Sequence, residues 1–142
     1  GAFRGTENPV APPLVITDEV RPDGTRVKVG HVTLNLAYEG PPHGVHGGFV
    51  AGLFDDILGS AQGHVRDPGV TGRLTVRYRH ITPVEEELRF EAWIESDDGK
   101  RIVAKATCHA EDGALLTAEA EALFIRVDFE EIQARMAARR DA

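Results

Sequence analysis

The chain has 142 residues, of which 42% are hydrophobic, and it carries a formal charge of −7. This length is typical of one domain, and such a domain buries roughly two thirds of the surface of the unfolded chain. The sequence contains no basic stripe of the kind that binds nucleic acid, no apolar run long enough to span a membrane and no leader pattern. The single cysteine, Cys108, suits a reducing compartment. We therefore expect a cytoplasmic domain without nucleic-acid partners, a membrane span or a signal peptide.

The predicted elements begin with an extended arm at residues 1–13, which contain three prolines. Residues 14–20 read as a short strand, and the RPDG sequence that follows is a turn signal. From residue 26 to residue 38, apolar side chains alternate with polar ones, which predicts a second strand.

The next segment, GPPHGVHGGFVAGLFDDILG at residues 40–59, begins as a loop and becomes strongly apolar. Its apolar residues recur at helical spacing, which predicts a helix from about Gly47 to Val65, ended by the Asp-Pro-Gly sequence at 67–69. Because this helix is hydrophobic nearly all round, we expect it to be buried.

Four strands follow the helix, and Asp-Gly turns separate the last three of them. They are predicted at residues 72–81, 88–96, 101–111 and 114–127. Successive hairpins make an antiparallel sheet, and the alanine-rich inner faces of the last two strands let that sheet curl closely around a helix. Cys108 belongs to one of these inner faces and is expected in the core.

The residue pattern thus predicts an α+β domain in which an antiparallel sheet wraps around a long central helix. We divide the chain into an N-terminal arm (1–25), the domain (26–127) and a C-terminal helical tail (128–142).

Two adjacent acids interrupt the apolar helix, and a helical wheel distinguishes them. Gly48, Gly52, Asp55 and Gly59 fall along one stripe, so Asp55 lies among missing side chains that a ligand can approach. Asp56 lies on a more crowded face, and we expect Asp55 to be the functional acid. An interior glycine costs a helix about 1 kcal/mol relative to alanine. Two reasons for keeping these glycines are compatible: they allow close packing against a partner helix, and they allow a ligand to approach.

The start of the helix has the features of an anion site. The sequence His46-Gly47-Gly48 places unobstructed backbone N–H groups at a helix N-terminus, where the helix dipole favours negative charge. Oxyanion donors near a carboxylate suggest acyl transfer or hydrolysis. However, His46 and Asp55 are nine residues apart, which is about 13.5 Å of rise and half a turn's rotation. We therefore expect a composite site across the two-fold axis of a dimer.

The loop, the helix start and the following strand, EGPPHGVHGGFVAGLFDDILG and TGRLTVRYRHITPV, resemble the hot-dog fold acyl-CoA thioesterases. The likeness covers about residues 26–127 and is greatest to the PaaI-type enzymes and the human thioesterase superfamily members. It implies a homodimer, or a dimer of dimers, that hydrolyses acyl-CoA without a metal or bound cofactor.

The resemblance also implies roles for individual residues. Asp55 acts as general base or nucleophile, the Gly47 N–H holds the thioester oxyanion, His46 orients the carbonyl, and Thr71 orients the attacking water. Many relatives carry an asparagine or glutamine six residues before the histidine, where this chain has Gly40.

Further residues are candidates for substrate contact. They are Gly40, His43, Gly48, Gly52, Arg79 and His80. For Arg79 and His80, capture of the coenzyme A phosphates competes with a solvated or subunit-contacting surface.

Three alternatives stay open. His31, His43, His46 and Asp55 form a conceivable but poorly spaced metal site. A non-catalytic acyl-CoA-binding domain would keep the fold without needing Asp55. A hot-dog hydratase would pair an aspartate and a histidine in one short motif, and the loop before the helix lacks that pair.

Overall fold

Six strands and two helices make up residues 14–141, the part of the chain that the computed structural model describes. The strands are β1 (Val15–Val20), β2 (Arg26–Thr33), β3 (Val70–Tyr78), β4 (Glu87–Asp97), β5 (Arg101–Ala110) and β6 (Leu115–Ile125). The helices are α1 (Gly47–Ala61) and α2 (Phe129–Asp141). The predicted extended arm at residues 1–13 lies outside the described residues.

The strands form a single sheet in the order β1-β2-β4-β5-β6-β3, and each neighbouring pair is antiparallel. β1 and β3 are therefore the edges of the sheet, and α1 packs across the middle of one sheet face. This arrangement confirms the predicted α+β class, with an antiparallel sheet curled around one long helix.

The core lies between one face of α1 and the sheet. Phe54 packs edge-on against Phe90 of β4, with 5.2 Å between the ring centroids. Alanines on the inner faces of β5 and β6 are buried in this core. The buried residues of α1 are Val50, Leu53, Phe54, Ile57, Leu58 and Ala61.

The expectation that α1 is buried nearly all round is wrong. Gly48, Gly52, Asp55, Asp56 and Gly59 are all exposed on its other face. The apolar residues of α1 are concentrated on the sheet-facing side, and the glycines leave the opposite side of the helix bare. We call the surface formed by these five residues the open face of α1.

β2 ends earlier than its alternating pattern predicts. Leu36–Tyr38 form a 3-10 turn in place of the last strand residues. The Asn35 side chain caps this turn by accepting a hydrogen bond from the Ala37 N–H at 2.9 Å. Such a local side-chain bond competes with the strand ladder, and it leaves Leu36 57% exposed.

α1 ends at Ala61, four residues before the predicted end, and a 3-10 turn at Gln62–His64 follows. The Gln62 side chain accepts a hydrogen bond from the Gly69 N–H at 2.7 Å and donates one to the Gly69 carbonyl at 3.3 Å. These bonds connect the end of α1 to the residue before β3, and the chain reverses direction four residues before the predicted end of the helix.

A bulge in β6 changes the inward alternation that the sequence predicts. Cys108 pairs with Ala118 and His109 with Leu116, so Thr117 is an extra residue and is buried in place of Leu116. The Thr117 carbonyl accepts the N–H groups of both Arg79 and His80. The bulge thereby fixes the end of β3. Cys108 is buried, as predicted, and burial raises the pKa of its thiol to about 11.

α2 is the predicted charged surface helix. The Asp128 carboxylate accepts the Glu131 N–H at 3.1 Å at the N-terminus, and Arg139 and Arg140 occupy the last turn. These charges suit the helix dipole at both ends. Neither helix in residues 14–141 has the length and hydropathy of a membrane-spanning segment.

Candidate active site

His46 is the N-cap of α1. Its ring Nδ1 accepts a hydrogen bond from the Gly48 N–H at 3.0 Å, and its own N–H donates to the Tyr38 carbonyl at 2.7 Å. An accepting Nδ1 carries no proton, so the proton of the neutral ring is on Nε2. The histidine thus satisfies one of the N–H groups that a helix start leaves without a partner in the helix.

The loop before α1 is folded back on itself. The Gly44 N–H donates to the Pro41 carbonyl and the Gly40 N–H to the Gly44 carbonyl, both at 2.9 Å. His43 has a φ of 64° in this turn, and its N–H donates to the Glu39 carboxylate at 2.9 Å. These contacts fix the position from which His46 enters the helix.

Gly40 lies directly against His46. A Cβ at residue 40 would be 2.9 Å from the His46 Cα, which is closer than real Cβ contacts, and 3.2 Å from the His46 Cβ. The position that carries an amide side chain in the resembled enzymes is therefore filled here by the backbone of His46. The neighbouring Glu39 carboxylate accepts the His43 N–H within the loop.

Tyr78, the last residue of β3, reaches the start of α1. Its hydroxyl donates to the Gly47 carbonyl at 2.7 Å. Its ring lies close to the Gly47 backbone, since a Cβ on Gly47 would be 3.4 Å from the hydroxyl and 3.5 Å from the ring carbon that carries it. Tyr78 is 53% exposed, yet its partial burial raises the pKa of the phenol above its ordinary value.

Asp55 lies two helical turns further along, on the open face. A Cβ at Gly52 or at Gly59 would have no atom within 4 Å outside the adjoining helix backbone, so the space beside Asp55 is empty within one chain. Asp56 is exposed as well. Neither exposure nor the empty space distinguishes the two acids within one chain, because Gly52 and Gly59 are each three or four residues away from both of them.

Thr71 lies near the beginning of β3, at the edge of the sheet, opposite Phe124 of β6. Thr71 is exposed there, at the opposite end of β3 from Tyr78.

Arg79 and His80 follow the end of β3, and both are exposed. The Arg79 guanidinium donates to the Glu119 carboxylate at 2.6 Å and lowers the pKa of that carboxyl. Because the Arg79 guanidinium is already paired with a carboxylate, it is less available to bind a phosphate.

The structure brings His46, Gly47, Gly48 and Gly40 together at the helix start. It leaves Asp55 and Gly52 along the helix and Thr71 on the edge strand. Among residues 14–141, no three His, Cys, Asp or Glu side chains are grouped as a metal site requires. The four residues weighed as metal ligands are therefore not gathered at one point.

Tyr78 is the residue that the sequence reasoning missed. The alternating pattern contains a signal for it, because Tyr78 continues the row of Leu74 and Val76 that packs against the core. What the pattern does not tell is that this row ends beside the first turn of α1.

Known proteins resemble this chain in sequence and in fold. A model of the thioesterase superfamily matches residues 43–117, more than half of the chain. The acyl-coenzyme A thioesterase THEM4 of Xenopus laevis is 29% identical over 89 residues, which are 63% of this chain and 40% of THEM4. The chain thus spans less than half the length of this curated relative.

Solved structures give the same result. The crystal structure of one thioesterase superfamily protein is 37% identical, with a TM-score of 0.72, over 88% of this chain and 62% of that one. The smu.793 protein of Streptococcus mutans, solved with acetyl CoA bound, shares the fold at 15% identity, with a TM-score of 0.69 over 87% of this chain and 96% of its own. The predicted resemblance is confirmed, and the chain belongs to the thioesterase superfamily, with the hot-dog fold.

Proposed function

We propose that this protein hydrolyses acyl-CoA thioesters to a free acid and coenzyme A. The observation that carries the proposal is the pairing on one helix of an exposed carboxylate, Asp55, in an empty glycine-lined space, with an N-terminus formed by His46-Gly47-Gly48. Membership of the superfamily, the likeness to THEM4 and the acetyl CoA held by the smu.793 protein support the same chemistry.

Each residue takes a part in one hydrolytic step. The Asp55 carboxylate removes a proton from water, whose oxygen attacks the thioester carbonyl carbon, and the Gly47 N–H stabilises the oxygen as it becomes negative. When the C–S bond breaks, the sulfur leaves as coenzyme A and takes up the proton. His46, with its proton on Nε2, orients the carbonyl, and the Thr71 hydroxyl orients the water. In the alternative route, an Asp55 oxygen attacks the carbonyl carbon and coenzyme A leaves as the C–S bond breaks. Water then cleaves the resulting anhydride, which releases the free acid and restores the Asp55 carboxylate.

The site is proposed to be shared between two subunits. His46 and Asp55 lie nine residues apart on one straight helix, about 13.5 Å along its axis, so one chain does not bring both to a single carbonyl. β3 is an exposed edge strand that offers unpaired backbone groups to a second copy. Pairing two β3 strands about a two-fold axis would set the start of one α1 against the open face of the other. A dimer of dimers is compatible with this arrangement.

Other residues are proposed to contact the substrate. Gly52 leaves room for the thioester along α1, and Gly48 is proposed to contact the substrate beside the His46 ring, which lies against it. The loop residues Gly40 and His43 border the entrance. Arg79 and His80 are proposed to lie near the coenzyme A phosphates, with Arg79 shared between a phosphate and Glu119. The only coenzyme in the proposal is the coenzyme A of the substrate, and no metal takes part.

Thiol release from a panel of acyl-CoAs, from acetyl to palmitoyl plus phenylacetyl, tests the function. We expect hydrolysis by the wild type and a loss of about a hundredfold or more in Asp55→Asn, as for a general base. Asp56→Asn is the matched control, since it removes the same charge from the adjacent exposed residue and should retain most activity. A wild type that hydrolyses none of the panel, or equal rates in wild type and Asp55→Asn, would favour the non-catalytic acyl-CoA-binding domain.

Subunit mixing tests whether the site is shared. A mixed dimer of Asp55→Asn and His46→Ala chains contains one intact site if the two residues come from different subunits. Random reassociation of two inactive variants should then restore about a quarter of the wild-type activity. If both residues act within one chain, mixing restores nothing.

A further inference from the structure

The first turn of α1 begins with two consecutive glycines, Gly47 and Gly48. Glycine loses more conformational freedom on ordering than any other residue, so a Gly-Gly helix start does not hold its own geometry well. An oxyanion donor acts only when it is fixed in place before the reaction, because its advantage over water is that it needs no reorganisation. Something beyond the glycines must therefore hold this turn.

Two side chains hold the peptide unit between these glycines from opposite sides. Its carbonyl oxygen, on Gly47, accepts the Tyr78 hydroxyl at 2.7 Å, and its N–H, on Gly48, donates to His46 Nδ1 at 3.0 Å. Both atoms belong to one planar group, so the two bonds together restrict its rotation. The Gly47 N–H belongs to the preceding peptide unit, and the carbonyl of that unit, on His46, accepts the Phe49 N–H at 3.0 Å. The two peptide units on either side of Gly47 are therefore both held.

The position of Tyr78 is not explained by core packing. The residue is 53% exposed at the end of an edge strand, whereas its neighbours on the same strand face, Leu74 and Val76, pack against the core. Its aromatic ring lies against a residue without a side chain, and a Cβ on Gly47 would be 3.5 Å from the nearest ring carbon. The Tyr78 side chain, whose hydroxyl is bonded to the first turn of α1, is therefore placed to hold that turn in position.

We propose that Tyr78 is a positioning residue, which fixes the Gly47–Gly48 peptide so that the Gly47 N–H is held ready for the thioester oxyanion. The proposal rests on the hydrolase function proposed above and adds a residue to it. Tyr78 acts through the backbone and does not itself contact the reacting atoms. Because its phenol has a raised pKa, the hydroxyl keeps its proton, and hence its bond to Gly47, at neutral pH.

Tyr78→Phe tests this role, since it removes the hydroxyl and keeps the ring. We expect kcat on the best acyl-CoA to fall about 10- to 100-fold, which corresponds to about 1.4–2.8 kcal/mol of activation free energy. KM should change less than threefold. Hydrogen exchange at the Gly48 amide, which donates to His46 Nδ1, should speed up at least tenfold when read by NMR on the intact protein. Thr33→Val, which removes an exposed hydroxyl from β2, away from the proposed site and the proposed subunit contact, should change neither quantity.

The outcomes separate this proposal from the function on which it rests. Unchanged kcat and unchanged glycine exchange in Tyr78→Phe would overturn the positioning role and leave the hydrolase intact. Faster exchange in a protein whose wild type hydrolyses no acyl-CoA would support the anchor and overturn the hydrolase. A general loss of stability, with exchange raised throughout the sheet and kcat restored on cooling, would show that Tyr78 serves only folding.

Discussion

Replacing Gly52 with alanine tests whether the open face of α1 is used by a ligand or a partner. Within one chain, the added methyl group would have no atom within 4 Å outside the adjoining helix backbone. An isolated helix gains about 1 kcal/mol when an interior glycine becomes alanine. A face that only meets water would therefore yield a more stable protein with unchanged activity.

We expect the opposite for activity, because the methyl group would occupy the space proposed for the thioester and the partner helix. Forcing one extra carbon into a filled site costs about 1–3 kcal/mol. At 1.36 kcal/mol for each factor of ten, kcat/KM should fall about 5- to 150-fold. The measurements are acyl-CoA hydrolysis and urea unfolding of Gly52→Ala beside the wild type.

Gly63→Ala is the control for this experiment. Gly63 is also exposed, just beyond the end of α1, and a Cβ there would be 3.7 Å from the nearest atom, the Lys28 Nζ. We expect this variant to keep wild-type activity. If Gly52→Ala also keeps wild-type activity and gains stability, then the open face is merely solvated and the site proposed beside Asp55 is wrong.

Three further predictions concern the loop, the helix cap and pH. His46→Asn keeps a capping side chain, so we expect its urea unfolding to match the wild type while hydrolysis falls; full activity would show that His46 serves only as a cap. Gly40→Asn should be less stable by about 1–3 kcal/mol in the same unfolding assay, because its Cβ would be 2.9 Å from the His46 Cα; a fully stable variant would contradict this packing. Arg126 lowers the pKa of Asp97 from 3.8 to about 2 in the folded protein. This ion pair therefore contributes its full stabilisation at pH values above about 4, and the contribution is lost as the pH falls toward 2. The melting temperature of the wild type should therefore fall more steeply than that of Asp97→Asn between about pH 4 and about pH 2, and parallel curves would exclude the ion pair as the cause.

Repeating patterns made the fold predictable. Alternation over residues 88–96 and 101–111 identified β4 and β5 to within one residue at each end. The Asp-Gly turns indicated that successive strands pair as hairpins. The errors fall where one side chain overrides the pattern. Asn35 ends β2 by capping a turn, and the extra residue Thr117 shifts the alternation in β6.

The candidate site was predictable only where it lies along one element. Gly48, Gly52 and Asp55 share a helix face by spacing alone, and the structure leaves that face open. The contact between Tyr78 and Gly47 joins residues 31 positions apart. It depends on where the end of β3 meets the start of α1, which local spacing does not encode.

The two faces of α1 explain how an apolar helix carries acids at its centre. Burying a large aliphatic or aromatic side chain is worth about 1.5–3 kcal/mol, and Phe54, Ile57 and Leu58 are completely buried against the sheet. These three residues alone outweigh the roughly 2 kcal/mol that the interior glycines Gly52 and Gly59 cost the helix. The sheet-facing side therefore secures the helix without help from the other side, and Asp55 can lie among glycines because nothing on its own face is needed to hold the helix in place.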